Sequence, residues 1–149
     1  MQNQNSNVEA QYKTLTIIWF ALIVSQLMFA VVIFFVKPEV LRFDFSKPLV
    51  GDNPMLIGIF ALLAISNLVL SLMISRKYLN QAIAEQTPAL VQTAMIVGCA
   101  LCEAISLCGV LLAFAFSYQY FFLWIALGII GTILHFPRRE NLIAASYKR

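Results

Sequence analysis

Residues 86–137 read QTPALVQTAMIVGCALCEAISLCGVLLAFAFSYQYFFLWIALGIIGTILHFP, a run in which Glu103 is the one Asp, Glu, Lys or Arg. A membrane-spanning helix needs ~20 apolar residues, so a run of this length holds two of them. The division falls at Ser117-Tyr118-Gln119-Tyr120, a polar and aromatic patch of the kind enriched where helix ends meet lipid headgroups. Toward the N-terminus, residues 14–36 and 53–75 are also free of charge, and each accommodates one further helix. The sequence therefore predicts an all-α integral membrane four-helix bundle with spans at 14–36, 55–75, 89–116 and 121–136. A polar tail, 1–13, precedes this 14–136 membrane domain, and a basic tail, 137–149, follows it. A membrane barrel is excluded, because its strands alternate apolar and polar positions over segments of ~10 residues, whereas these runs are continuously apolar.

Composition agrees. The 149 residues are 61% hydrophobic and 11% charged, against about 25% charged in a soluble domain. The first run is too long for a secretion signal, has only Lys13 as a preceding basic residue, and lacks a small-residue cleavage site before Lys37-Pro38. It is expected to remain as a helix. The Gln- and Asn-rich start, Met1 to Gln11, has too little apolar content to pack and is expected to be a mobile tail.

The distribution of basic residues gives an orientation. Lys13, Arg76, Lys77, Arg138, Arg139, Lys148 and Arg149 fall on one side, and Lys37, Arg42 and Lys47 on the other. The positive-inside rule then puts both termini in the cytoplasm of a cell (inner) membrane. The first loop carries Pro38, Pro48 and Pro54, which exclude a continuous helix. Within it Leu41, Phe43 and Phe45 alternate with Arg42 and Asp44, which suits a segment lying on the outer membrane surface; a partner-binding loop is the sharper alternative. The net charge of +3 is explained by topology and anionic lipid, so no nucleic-acid partner follows from it.

A weak internal repeat is visible. At a shift of 77 residues, Ala21 to Met28 aligns with Gly98 to Ile105, setting Gln26 on Glu103 and Ser25 on Cys102, and spans 2 and 4 both end in basic pairs. Two helical hairpins duplicated in the same orientation would produce this pattern.

Glu103 is the residue with most chemical meaning. A charged carboxylate at the bilayer centre costs at least ~2.5–3.5 kcal/mol, so burial there favours the neutral acid. An acid that gains and loses its proton is what proton translocation requires; one that stays protonated merely ties helices together. Gln26 and Asn67 lie at similar depth, and their amides supply donors and acceptors for either protonation state. With Glu103 they are expected to form one polar layer.

The three cysteines, Cys99, Cys102 and Cys108, all lie on span 3. The Cys99–Cys102 spacing lacks the second ligand pair or the βαβ setting that would give it metal or redox meaning. Ala94, Gly98, Cys102 and Ser106, at intervals of four, instead form a small-residue stripe that lets another helix approach closely. His135 beside Phe136-Pro137-Arg138-Arg139 is expected at the headgroup level as an interfacial anchor. No metal site, cofactor motif, phosphate loop or nucleophile–base pair is found, so no catalysis by the chain alone is expected.

The loop Gln81-Ala82-Ile83-Ala84-Glu85-Gln86-Thr87-Pro88, followed by Thr93 to Leu107 with Met95-Ile96-Val97-Gly98, Ala100-Leu101 and Glu103-Ala104, resembles the proteolipid (c) subunit of rotary ATP synthases. That family has an Ala-Ile-Ala-Arg-Gln-Pro loop, then a helix whose glutamate carries the proton through the membrane. The resemblance implies proton binding at Glu103, a proteolipid-like role and self-association or assembly with other membrane subunits. Ala104 lacks the hydroxyl that sodium-binding relatives carry there, which implies protons rather than sodium. The sequence departs from the family in having Gly58 alone on span 2 in place of a glycine repeat, Glu85 in place of the loop arginine, and two additional spans. Two other classes are open: a non-catalytic structural or assembly subunit, and a small transporter or channel, disfavoured by the scarcity of polar residues.

Overall fold

The structure is a computed structural model that describes residues 2–42, 44, 48–51 and 53–146, with the side chains of 2–6 and 41 excepted. The described residues form five α-helices: α1 (Gln2–Val36), α2 (Pro54–Ala84), α3 (Pro88–Phe116), α4 (Phe122–Leu134) and α5 (Arg139–Ser146), with a short 3₁₀ turn at Pro38–Leu41. No strand occurs among the described residues, so the fold is the expected all-α bundle.

The helix ends follow local chemistry. Pro38 removes the donor that would continue α1 past Val36. Pro54 and Pro88 sit in the first turns of α2 and α3, where a missing N–H is harmless. Asn53 caps α2 by accepting from Leu56 N at 3.3 Å. α3 stops at Ser117, whose φ of 48° turns the chain into the left-handed region while Tyr118 N donates to Leu112 O at 3.1 Å. Lys37 Nζ completes this end by donating to Phe114 O at 2.8 Å and Ser117 Oγ at 3.3 Å.

Three helices are long and apolar enough to cross a bilayer: Asn7–Val36 within α1, α2 and α3. The chain is a multi-pass membrane protein. α4 has 13 residues, or about 20 Å at a rise of ~1.5 Å per residue. Its contacts nevertheless run back along α3, from Gly109 beside Phe121 and Trp124 to Gly98 beside His135. α5 then reaches the far end, where Gln86 Nε2 donates to Ala144 O at 3.3 Å and Arg139 pairs with Glu9 at 3.1 Å. The return leg thus needs α4, the break at 135–138 and α5 together. Both described chain ends lie at this terminal end, and residues 37–53 and 117–121 meet at the opposite, loop end.

α3 is the central helix. Its buried positions Met95, Gly98, Cys102, Ile105, Gly109 and Leu112 recur every three or four residues, the 3.5-residue seam of helices crossing at a shallow angle. α2 answers with Ile57, Ala64 and Ser71 at intervals of seven. α2 packs along one side of α3, and α1 and α4 pack on its other contacts. α1 and α2 form no packed pair, so the expected division into two equivalent hairpins differs from the observed packing: α3–α4 is a hairpin, whereas α1–α2 is held apart by α3.

One further expectation is corrected at the N-terminal end. The polar start is helical from Gln2 and continuous with α1, and Val8 is buried against Ala82, Val91, Met95, Leu142 and Ala145. Membership of a cluster drawn from α2, α3 and α5 as well as α1 offsets the polar composition of its neighbours. Within the C-terminal tail, Leu142 and Ala145 anchor α5 in that same cluster; Lys148 and Arg149 lie outside the described residues. The first loop is held by the α3–α4 turn: Asp44 N donates to Gln119 Oε1 at 3.1 Å, Gln119 Nε2 donates to Asp44 O at 2.9 Å, and Tyr118 Oη donates to Leu49 O at 2.6 Å. Phe43, Phe45, Lys47 and Asp52 of that loop lie outside the described residues.

Candidate functional site

Glu103 lies at the middle of α3, and its Oε1 accepts a hydrogen bond from Ser25 Oγ of α1 at 2.7 Å. The carboxyl is only partly buried. Its neighbours one and two turns away on the helix surface, Ile96, Ala100, Leu107 and Leu111, are exposed and form the lipid-facing stripe of α3. Glu103 therefore stands where that stripe meets α1. Among the described residues it forms no ion pair, the one such pair being Arg139–Glu9 at the terminal end. A hydroxyl both donates and accepts, so Ser25 can serve the carboxylate as donor and the neutral acid as acceptor.

Gln26 is placed differently from the expected layer. Fully buried, it donates from Nε2 to Thr132 Oγ1 at 2.7 Å and accepts at Oε1 from Ser106 Oγ at 2.8 Å. Thr132 Oγ1 passes its own hydrogen to Gly128 O at 3.0 Å, and Trp19 Nε1 donates to Thr132 O at 2.8 Å. The amide thus joins α1, α3 and α4 through their side chains and is committed to that task. It faces the core, while Ser25, about 100° round the same helix, turns to Glu103.

Asn67 does not join either group. Its Nδ2 donates to Leu63 O one turn back on α2 at 2.9 Å, so an amide read as a partner for the acid satisfies its own helix. The structure brings Glu103 together with Ser25, and Gln26 together with Ser106 and Thr132.

The stripe Ala94, Gly98, Cys102 and Ser106 is buried throughout. Gly98 lies under the imidazole of His135, where any Cβ would collide with the ring, and Ser106 with the Cys102 carbonyl fills the space a Cβ would need on Gly128. Cys102 Sγ lies 3.6 Å from Ser71 Oγ of α2. Small residues here let α4 approach α3 at backbone distance.

His135 turns inward between the helices. It is 7% exposed, with Nδ1 2.7 Å from Gly131 O and Nε2 3.3 Å from Ser71 O. Both ring nitrogens face carbonyl oxygens, which can only accept, so a neutral ring serves one of them and a doubly protonated ring serves both. The ring turns inward because Gly98 leaves room for it.

Ser25, Thr132, Trp19 and Ser71 carry contacts that inspection of the sequence did not assign. Ser25 had a signal, since it adjoins Gln26 and aligns within one residue of Glu103 in the repeat. Thr132 had one too, four residues after Gly128 on a helix otherwise apolar. No family model, curated protein or solved structure matches the chain.

Proposed function

We propose that this multi-pass membrane protein is a proteolipid-like subunit in which Glu103 takes up and releases a proton at mid-membrane. One observation carries the reading: the carboxyl stands at the edge of the lipid-facing stripe of α3, held by a hydroxyl that suits both protonation states. Among the described residues no cation pairs with the carboxyl, and a charged carboxylate at the bilayer centre costs at least ~2.5–3.5 kcal/mol. Ionisation then depends on a partner that brings positive charge and water to this stripe, and the partly exposed position leaves room for one. The resemblance of the Gln81–Leu107 region to rotary proteolipids supports the same residue. The excess of basic residues at the terminal end supports an orientation with both termini in the cytoplasm.

A second reading has its own observation. The Ser25–Glu103 bond ties α1 to α3 within one chain, which is what a structural or assembly subunit needs from a neutral acid. Glu103→Gln separates the two. The amide keeps shape and hydrogen bonding, so assembly with copurifying partners persists under either reading, and proton-linked function of the assembly is lost under the first alone. Full function in that variant assigns Glu103 to the structural role.

A further inference from the structure

At the terminal end, the helices part around a cavity of about 480 Å³ bordered by Leu15, Arg76, Met95, His135, Arg138 and Asn141, among others. That volume lies within the ~300–1,000 Å³ of sites that house small organic ligands. Its lining contains no Asp or Glu. Arg76 comes from α2 and Arg138 from the break between α4 and α5, so two different elements bring arginines to the lining of one space. Neither makes an ion pair among the described residues, where Glu9 is taken by Arg139, and Glu140, next to Asn141, is not part of the lining. The rest of the wall is mostly apolar, from α1, α2, α3 and the end of α4, with Ser75, His135 and Asn141 as its other polar side chains.

Depth decides which anion fits this mixture. Arg76 follows Pro54 by 22 residues on one continuous helix, which sets it about 33 Å along α2, just past the ~30 Å of a hydrocarbon core. The cavity therefore lies where headgroup phosphates lie, with charged groups above and an apolar wall below. Guanidinium forks match phosphate oxygens in pairs. Basic pockets between membrane helices are suited to anionic headgroups.

We infer that this cavity is a binding site for an anionic phospholipid, its phosphate held between Arg76 and Arg138 and its upper acyl chain against Leu15 and Met95. Both ring nitrogens of His135 face carbonyl oxygens of the bundle, and the imidazole forms part of the wall.

The full chain in mild detergent can be titrated with phosphatidylglycerol or phosphatidylcholine, reading bound lipid by native mass spectrometry and the shift in unfolding temperature. At least tenfold tighter retention of phosphatidylglycerol is expected. Arg76→Gln with Arg138→Gln should abolish that preference, whereas Lys77→Gln, which removes a neighbouring charge outside the cavity, should leave it intact. If the double glutamine variant fails to fold, Arg76→Lys with Arg138→Lys keeps the charge without the fork and should lower retention several-fold. Equal retention of the two lipids, or an equal loss in Lys77→Gln, overturns the proposal. Inorganic phosphate at millimolar concentration is expected to stabilise nothing; stabilisation by it with the same arginine dependence would assign the cavity to a soluble anion and overturn the lipid assignment.

Discussion

Ser25 Oγ donates to Glu103 Oε1 across 2.7 Å, joining the only acid of the 86–137 run to α1. The bond has one partner on each of two parallel helices, so it reports on both their packing and the state of the acid. Ser25→Ala should lower stability in detergent by about 0.6–2 kcal/mol, the range for hydrogen bonds between membrane helices. It should also speed carbodiimide modification of Glu103 by freeing the carboxyl. Thermal unfolding and labelling rate measure the two effects separately, and an unchanged labelling rate would show that the serine does not restrain the acid.

The Gln26 amide is held from both sides by Ser106 and Thr132. Gln26→Leu or Thr132→Val should each cost about 1–3 kcal/mol, because each leaves a buried polar group short of a partner. The double variant should cost less than the sum, with a coupling of about 0.5–3 kcal/mol. Additive losses in a double-mutant cycle would mean that the two side chains do not share one network.

Gly98 and His135 form a size-matched pair. Gly98→Leu should destabilise the bundle by about 1–3 kcal/mol through overpacking, and His135→Ala in the same chain should recover part of that loss by vacating the space the ring fills. Unfolding temperatures of the two single variants and the double variant provide the check. No recovery would place the new side chain against something other than the ring.

These contacts also show what could be read without a structure. Charge-free runs and prolines located the four apolar segments, because water excludes those runs and proline ends helices whatever surrounds them. The small-residue stripe was legible for a similar reason: spacing on a helix is local. Direction around a helix was not. Gln26 and Asn67 lie at the right depth for Glu103, yet one turns to the core and the other back to Leu63. Neighbouring helices set that rotation, and α1 meets α3 rather than α2. Val8 illustrates the same limit at the end of the bundle, where a segment of polar composition contributes a buried side chain to the cluster formed with α2, α3 and α5.

The α3–α4 turn has a pH signature. Burial, and then the nearby Tyr120, push the Tyr118 phenol above its ordinary value of 10.0, and its hydroxyl is the donor to Leu49 O. With the folded value above the unfolded one, its contribution is fully present below about pH 10 and is lost as pH rises through the folded value. Alkaline unfolding should therefore set in above pH ~10, and Tyr118→Phe should flatten that part of the profile while lowering stability at neutral pH. A profile unchanged by the substitution would remove Tyr118 from the cause.

The central claim, that Glu103 exchanges a proton at mid-membrane, is tested most directly by the pH dependence of its modification with a lipid-soluble carbodiimide, which reacts with the acid form. In the assembled complex, peptide mass spectrometry should find Glu103 labelled in preference to Glu9, Glu39, Glu85 and Glu140. Labelling should fall as pH rises, vanish in Glu103→Gln, and be unaffected by sodium. Labelling of Glu103 that stays constant across the pH range over which proton-linked function changes, or protection by sodium, would contradict the account.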